Sequence, residues 1–306
     1  MTGVQTCALP ISLQFSGGSL PTGITAGTTY YVYNVDGLTF GLLNSAGAEV
    51  GTSSSGSGSV SLIVDVPTAV NTFTVSDTSR FVLAFGCNDY GQSTIDPMLI
   101  RWSAQDDIYN WTPDATNQAG FVRVSHGSEI ITTVQTRQEI VVFTDSIVYS
   151  LQYLGPPYVW APQLLGDNIS IISPNAAVIA SGIVYWMGVD KFYSYDGRVQ
   201  TLNCDLRRFI FQDLNQEQAA QVFCGTSEGF NEVWWFYPSA NSTTIDKYVI
   251  YNYHEQIWYY GTMARTAWLD SGLRNYPLAA TYSSNLVNHE QGLNDNETAT
   301  TAALDA

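Results

Sequence analysis

Residues Gly229–Met263 read GFNEVWWFYPSANSTTIDKYVIYNYHEQIWYYGTM. Three runs within it, Val233–Tyr237, Lys247–Tyr253 and Gln256–Tyr260, are rich in aromatic and β-branched residues. Such side chains fit a pleated, packed surface. A polar connector of Pro, Ser, Ala, Asn and Thr separates the first two, and His254–Glu255 separates the last two. The pattern predicts neighbouring antiparallel strands joined by turns. Trp258 suits the outer end of a sheet that packs face to face on another. Small sheets repeated in that way are the blades of a β-propeller.

The unit recurs upstream. Val141–Leu151, VVFTDSIVYSL, reads as strand, Thr-Asp-Ser turn and strand; Ile183–Tyr195, IVYWMGVDKFYSY, reads the same way around Gly-Val-Asp. Asp196–Gly197 adds a further turn signal. The second strands of these units fall at Ile147–Leu151, Lys191–Tyr195 and Tyr248–Asn252, and Met98–Ser103, MLIRWS, is an earlier copy. From Ile147 to Lys191 is 44 residues and from Lys191 to Tyr248 is 57. Blade repeats run at about 40–50 residues, so the second interval implies an insertion. A β-sandwich would use similar strands; the repeat favours an all-β, propeller-like main domain.

The insertion has a helical pattern. Asp205–Val222 places Leu206, Phe209, Ile210 and Leu214 near helical spacing after Asn203, a candidate N-cap, and Asn215 with Gln218 resembles a second start. Two short helices are expected, either plugging the core or touching a neighbouring subunit. Ahead of the main domain, Ser12–Val64 carries TYYVYNV, LTFGLLN and the run GTSSSGSGSVSL, which predicts a small β module. Gly51–Ser59 is a linker or a hairpin tip. The domains are thus 12–64, a β module; 65–280, the propeller-like domain; and 281–306, a polar, truncated end. Thr2–Ile11, TGVQTCALPI, is what one reading frame of a sequencing adapter encodes, so residues 1–11 are expected to be a scar on a fragment of environmental DNA.

The wording of DPMLIRWSAQDDIYNWTPDATNQAG, SEIITTVQTRQEIVVFTDSIVYSLQYLGPP, SGIVYWMGVDKFYSYDGRVQTL, EGFNEVWWFYP and NYHEQIWYYGTMARTAWLD resembles a bacteriophage tail family. It is similar to the nozzle or tail-hub proteins of short-tailed phages, including tail tubular and packaged-DNA-stabilising proteins. The resemblance runs from about Asp96 to Asp270 and extends through turns. LPTGITAGTTYYV also resembles a module found in many phage structural proteins. The resemblance implies a virion structural protein: a homo-oligomeric ring below portal and adaptor, lining the DNA exit channel and docking tail-fibre or plug proteins. It brings no catalytic residue, no cofactor and no metal.

Charge adds a second clue. Lys and Arg total 11 against 27 Asp and Glu, a net charge of −16, and Lys191 and Lys247 are the lysines. DNA grips display basic clusters that neutralise phosphates. Here Arg207–Arg208 is the one adjacent basic pair. An acidic wall would keep a passing duplex from sticking, although acidity also serves solubility. No run approaches the roughly 20 apolar residues of a membrane span.

Chemistry-bearing motifs are sparse. His254–Glu255 lacks the second His of a zinc-protease helix, and no G-x-S-x-G or phosphate-binding glycine loop occurs. His126, His254 and His289 are dispersed. Cys87, Cys204 and Cys224 read as small buried thiols in preference to a metal pair. Asp106–Asp107 with Asp167 are candidate paired acids for glycoside cleavage, and Ser103–Asp106 with Trp111 loosely resembles a sialidase-type Asp-box that lacks its glycine. A second reading is therefore a carbohydrate-binding or glycan-cleaving propeller, with Trp234, Trp235, Trp258 or Tyr259 stacking on sugars. The module boundary is testable: a chain beginning at Asp65 is expected to keep its β-type circular dichroism and unfold cooperatively, and loss of the cooperative transition would move the boundary.

Overall fold

The computed structural model describes residues 12–36, 39–57, 59–62, 66–114, 117–270, 272–291, 294–295 and 298–299. Residues 1–11 lie outside them. The chain is all-β with a short helical insertion. Its N-terminal sheet contains β1 (Ser12–Ser16), β2 (Thr29–Asp36), β3 (Thr39–Leu43) and β4 (Ser59–Leu62), in the order β3-β2-β1-β4. Leu13, Phe15, Ile24, Tyr30 and Leu42 form a core cluster of their own beneath it.

The run Gly51–Ser57 is neither a free linker nor a hairpin tip. It connects β3 to β4, which pairs with β1, so it must cross the module. Ser57 N–H donates to the Ser19 carbonyl, and Thr22 N–H to Ser54 Oγ. A Cβ on Gly56 would lie 2.5 Å from Pro21 Cδ. The glycine permits a close crossing, which short-range sequence pattern does not distinguish from a flexible tip.

Five blade-like sheets follow in chain order, and a two-stranded pairing of Asn294–Asp295 with Thr298–Ala299 comes after them. The first blade is β5 (Val70–Ser76), β6 (Phe81–Asn88), β7 (Ile95–Trp102) and β8 (Gly120–Arg123). The second is β9 (Ile130–Gln135), β10 (Glu139–Thr144), β11 (Ile147–Gly155) and β12 (Val159–Asp167). The third is β13 (Ala177–Ala180), β14 (Ile183–Met187), β15 (Phe192–Tyr195) and β16 (Val199–Leu202). After α1 (Arg207–Asp213) and a 3-10 turn at Gln216–Gln221 comes the fourth: β17 (Phe223–Ser227), β18 (Glu232–Tyr237), β19 (Lys247–Asn252) and β20 (Ile257–Thr262). The fifth has β21 (Ala267–Leu269), β22 (Leu278–Ala280) and β23 (Leu286–Asn288). Each is a plain antiparallel meander, as blades are. The repeat strands expected from spacing, at Met98, Ile147, Lys191 and Tyr248, fall on β7, β11, β15 and β19, the third strand of each blade. The fifth sheet runs past residue 280, because β23 pairs with β22.

Successive blades stack by their first strands: β5 lies beside β9, β9 beside β13, β13 beside β17 and β17 beside β21. Each inner blade therefore buries both faces, and alternate residues of one strand enter different cores. In β10, Ile140 and Val142 join Phe81, Leu83, Phe85 and Ile100 of the first blade. Val141 and Phe143 point the other way, where Phe143 meets Trp186 of the third blade at 5.1 Å between ring centroids. In β18, Val233, Trp235 and Tyr237 face the third blade, while Trp234 and Phe236 face Trp268 of the fifth. That arrangement separates the propeller-like fold from a two-sheet sandwich, in which one face of each sheet meets solvent.

The helical insertion is a plug. Ile210 is fully buried, and Leu206, Phe211 and Leu214 pack on the same core. Its first turn differs from the sequence reading. Leu206, not Asn203, occupies the N-cap, without a side-chain cap, and the Asn203 carbonyl accepts Trp258 Nε1–H at 2.7 Å. Asn215 caps the second element as expected, accepting from Glu217 N–H at 3.0 Å, but that element is a 3-10 turn. Trp258 itself packs on Phe192 at 4.7 Å and Tyr251 at 4.6 Å, closing the outer end of the third–fourth blade contact. No described helix is long and apolar enough to cross a membrane.

Trp235 is fully buried, and its Nε1–H donates to the Ala176 carbonyl at 3.0 Å. Trp235→Ala removes a large core side chain and is expected to cost about 3–5 kcal/mol in chemical denaturation. Tyr259→Ala, at an exposed site, is expected to stay within about 0.5 kcal/mol of the parent.

Candidate functional site

The first strands of the five blades share one property. Their sequences, VNTFTVS, IITTVQ, AVIA, FCGTS and AWL, contain no Asp, Glu, Lys or Arg. The strip formed by these first strands is therefore uncharged, with hydroxyls on the first, second and fourth blades. The carboxylates sit mainly on turns, such as Asp77, Asp89, Asp145, Asp190, Asp196 and Asp270. An acidic surface, where it exists, lies on the loops and not on the axis.

Polar ties cross each blade contact. Asn71 Nδ2–H donates to the Ile130 carbonyl, and the Thr74 and Thr133 hydroxyls lie 2.6 Å apart, joining first and second blades. Between third and fourth blades Cys224 N–H donates to the Asn175 carbonyl at 2.9 Å, and the Ser173 hydroxyl to the Val222 carbonyl. Trp268 Nε1–H donates to the Thr226 carbonyl at 2.7 Å and ties fourth to fifth. Gly225 makes room for it: a Cβ there would fall 2.2 Å from Trp268 Cδ1.

The tie between second and third blades gathers several hydrogen bonds on one carboxyl group. Glu139, at the start of β10, faces the third blade with Val141 and Phe143. Its carboxylate accepts from Tyr195 Oη–H at 2.5 Å, from Gln152 Nε2–H at 3.1 Å and from the Ser150 hydroxyl. Burial, and then the Glu139 carboxylate, push the Tyr195 phenol well above its ordinary range. Burial with neighbouring Tyr251 and Tyr253 raises Tyr185 to about 12. Burial, then Asp213 and Asp246, raises Tyr237. Sequence gave no sign of the Glu139 cluster beyond a carboxylate in phase with Val141 and Phe143, since Tyr195 is 56 residues away.

The candidate catalytic groups are not brought together. Asp106 pairs with Arg80 at 3.1 Å on an exposed turn, Asp107 accepts from Tyr109 N–H at 3.0 Å, and Asp167 ends β12 of a different blade. Trp111 is buried and donates to the Ile108 carbonyl at 2.8 Å, so the 103–111 segment is a packed turn. His126 sits before β9, 2.8 Å from the Ser125 hydroxyl; His254 lies in the β19–β20 turn; His289 follows β23 and accepts from Arg265 Nε–H at 2.9 Å. Burial raises the Cys87 and Cys204 thiols to about 11 and lifts Cys224 as well, which leaves them protonated and unreactive at neutral pH. Among the described residues no three His, Cys, Asp or Glu side chains gather as a metal set.

The proposed sugar platform is mostly core. Trp234 and Trp235 are buried, and Trp258 is covered by Phe192 and Tyr251. Tyr259 remains exposed. The basic pair is also accounted for in part: Arg207 binds Asp190 through its carbonyl at 2.6 Å and its carboxylate at 2.9 Å. Lys247 pairs with Asp213 at 2.7 Å, and Lys191 lies 3.9 Å from Asp190. A shallow open cleft of about 390 Å³ lies beside the fifth blade, lined by Arg265, Thr281, Tyr282, Ser283 and Asn285 among others.

No known family profile matches the chain, and no curated protein matches it. Among solved structures it is similar to a candidate 6-phosphogluconolactonase from Bacteroides uniformis, with 11% identity and a TM-score of 0.40, covering 92% of this chain and 96% of that one. It is also similar to the N-terminal domain of Nup159, at 10% identity and a TM-score of 0.33, covering 74% and 76%. At such scores neither likeness bears on function.

The buried phenols give the fold a pH signature. The folded state favours the neutral phenol, so this stability is complete below the ordinary tyrosine pKa of about 10 and is lost as pH climbs toward the raised folded values. Ultraviolet titration is expected to show several tyrosines ionising only with alkaline unfolding. Tyr195→Phe is expected to cost about 1.5–3 kcal/mol, the range for a hydrogen bond to a charged group, and to couple with Glu139→Gln in a double-mutant cycle.

Proposed function

We propose that this chain is a structural subunit of a bacteriophage tail, a nozzle or hub protein that assembles as a ring around the DNA exit channel. The observation that carries the reading is the resemblance over Asp96–Asp270, which spans the second strand pair of the first blade through the start of the fifth. The resembling segments thus belong to one continuous stack and not to scattered strands. Its work is mechanical and electrostatic. The blades form a stiff wall, and other tail proteins dock on their outer strands and loops.

Two features support a conduit that does not grip DNA. Lysines 191 and 247 and arginines 80, 123 and 207 are matched to carboxylates. Arg101 is buried under the Tyr90 ring, 3.8 Å from its centroid. The other five arginines, at 137, 198, 208, 265 and 274, are spread along the chain against 27 Asp and Glu, while carboxylates populate the turns. In a ring of copies those acidic turns face the lumen and repel the duplex, keeping it centred and mobile. Trp234, Trp235 and Trp258 pack inward, which leaves Tyr259 as the exposed member of the four aromatics named for sugar stacking.

A filter-binding titration of the protein with duplex DNA over a salt series tests this. Weak binding with a shallow dependence is expected. A slope near −0.9 per phosphate, accumulated over many phosphates, would contradict the non-stick conduit.

A further inference from the structure

A cavity of about 10 Å³ lies between the β5–β6 turn of the first blade and the β9–β10 turn of the second. Ser76 and Ser79 line it on the first blade, and Gln135, Thr136 and Glu139 on the second. Trp160, on β12, completes the wall. Ser76, Ser79 and Trp160 are 2%, 7% and 5% exposed, so the first-blade serines and the indole are all buried. One water molecule needs roughly 10–15 Å³ of such space and two to four polar partners.

Much of the polar wall is already engaged. The Thr136 hydroxyl donates to the Glu139 carbonyl at 2.9 Å and accepts from Glu139 N–H at 3.2 Å. The Glu139 carboxylate is held by Tyr195, Gln152 and Ser150. Ser79 uses its backbone, donating N–H to Ser76 Oγ at 3.4 Å and accepting Gln105 Nε2–H on its carbonyl at 3.1 Å. Trp160 Nε1–H is different: it is buried and has no acceptor among the described residues. Its ring is held by Phe81, edge to face at 5.8 Å between centroids, and by Tyr153 at 5.5 Å, so the indole is not free to seek an acceptor elsewhere. A buried donor left without a partner is costly.

We propose that this cavity is a binding site for one water molecule, which accepts from Trp160 Nε1–H and donates to the Ser76 or Ser79 hydroxyl oxygen. The wall selects the ligand. An indole N–H disfavours a metal cation. The Glu139 carboxylate, with no Lys, Arg or His in the described wall, disfavours an anion. The volume excludes anything larger. Water alone of the small candidates both accepts and donates. The molecule ties β12 of the second blade to the β5–β6 turn of the first, beside the direct Asn71–Ile130 and Thr74–Thr133 bonds of the same blade contact. The site is independent of any role in a tail.

The test is a crystal structure of the full chain at a resolution that shows ordered water, with a second crystal soaked in bromide, and oxygen-17 relaxation dispersion of water in solution. A peak is expected within about 3.2 Å of Trp160 Nε1 and of a Ser76 or Ser79 hydroxyl, with no bromide signal there. In solution, Trp160→Phe is expected to hold one long-lived water fewer than the parent. Ser79→Val, which fills the cavity, takes its place if Trp160→Phe lacks the parent's cooperative unfolding. No peak at the indole, a bromide signal in its place, an indole N–H bonded directly to a protein carbonyl, or an unchanged count of long-lived waters would each overturn the proposal.

Discussion

The structure depends on one constraint: each inner sheet must bury both of its faces. A strand in such a sheet cannot alternate apolar and polar residues, because each residue enters a core on one side or the other. Val233–Tyr237 and Val141–Phe143 are apolar without a break for that reason, and all are buried. The geometry also fixes the order of the chain. A meander that ends at its outer strand must return to the axis to begin the next blade, so first strands line up side by side. The core is then not one mass but a series of slabs between neighbours.

Burial on both sides leaves few places for polar groups, and those present hold the blades in register. The Glu139 carboxylate takes its phenol from the next blade, and the Trp235 and Trp268 indoles donate to carbonyls of adjacent blades. Dispersion and apolar burial are non-directional; these bonds are directional. Removing one partner would leave a desolvated group without compensation, which costs more than the bond itself contributes. Small residues serve the same end where indole meets backbone, as Gly225 does beneath Trp268. The uncharged first strands are part of the same economy. A carboxylate there would sit against the first strand of the next blade with no cation to answer it.

Much of the architecture was legible in the sequence because strand identity and repeat spacing are local signals. The four copies of the third strand stood at their expected intervals, and the long interval contained the helical plug. What failed was long-range. Asn203 looked like an N-cap, yet its carbonyl is claimed by Trp258, 55 residues away. Gly51–Ser57 looked like a tip or a tether, yet it is pinned by Ser19 and Thr22. Aromatics in a run favour core packing over a sugar platform, and the stacking of blades places Trp234 and Trp235 in two different cores. The Glu139 cluster was invisible because its donors come from another sheet. The functional proposal rests on resemblance in wording, since no catalytic constellation and no basic patch announces itself in the sequence.

Native-state amide hydrogen exchange tests the two-sided stack most directly. Strands whose faces are shared by two slabs cannot open without exposing both. The account predicts that the central amides of β10, β14 and β18 are the slowest and exchange with one common opening free energy, while the outer strands β8, β12, β16 and β20 open locally at lower cost. If one inner blade exchanged independently of its neighbours, or if outer and central strands were equally protected, the stacked arrangement would be contradicted.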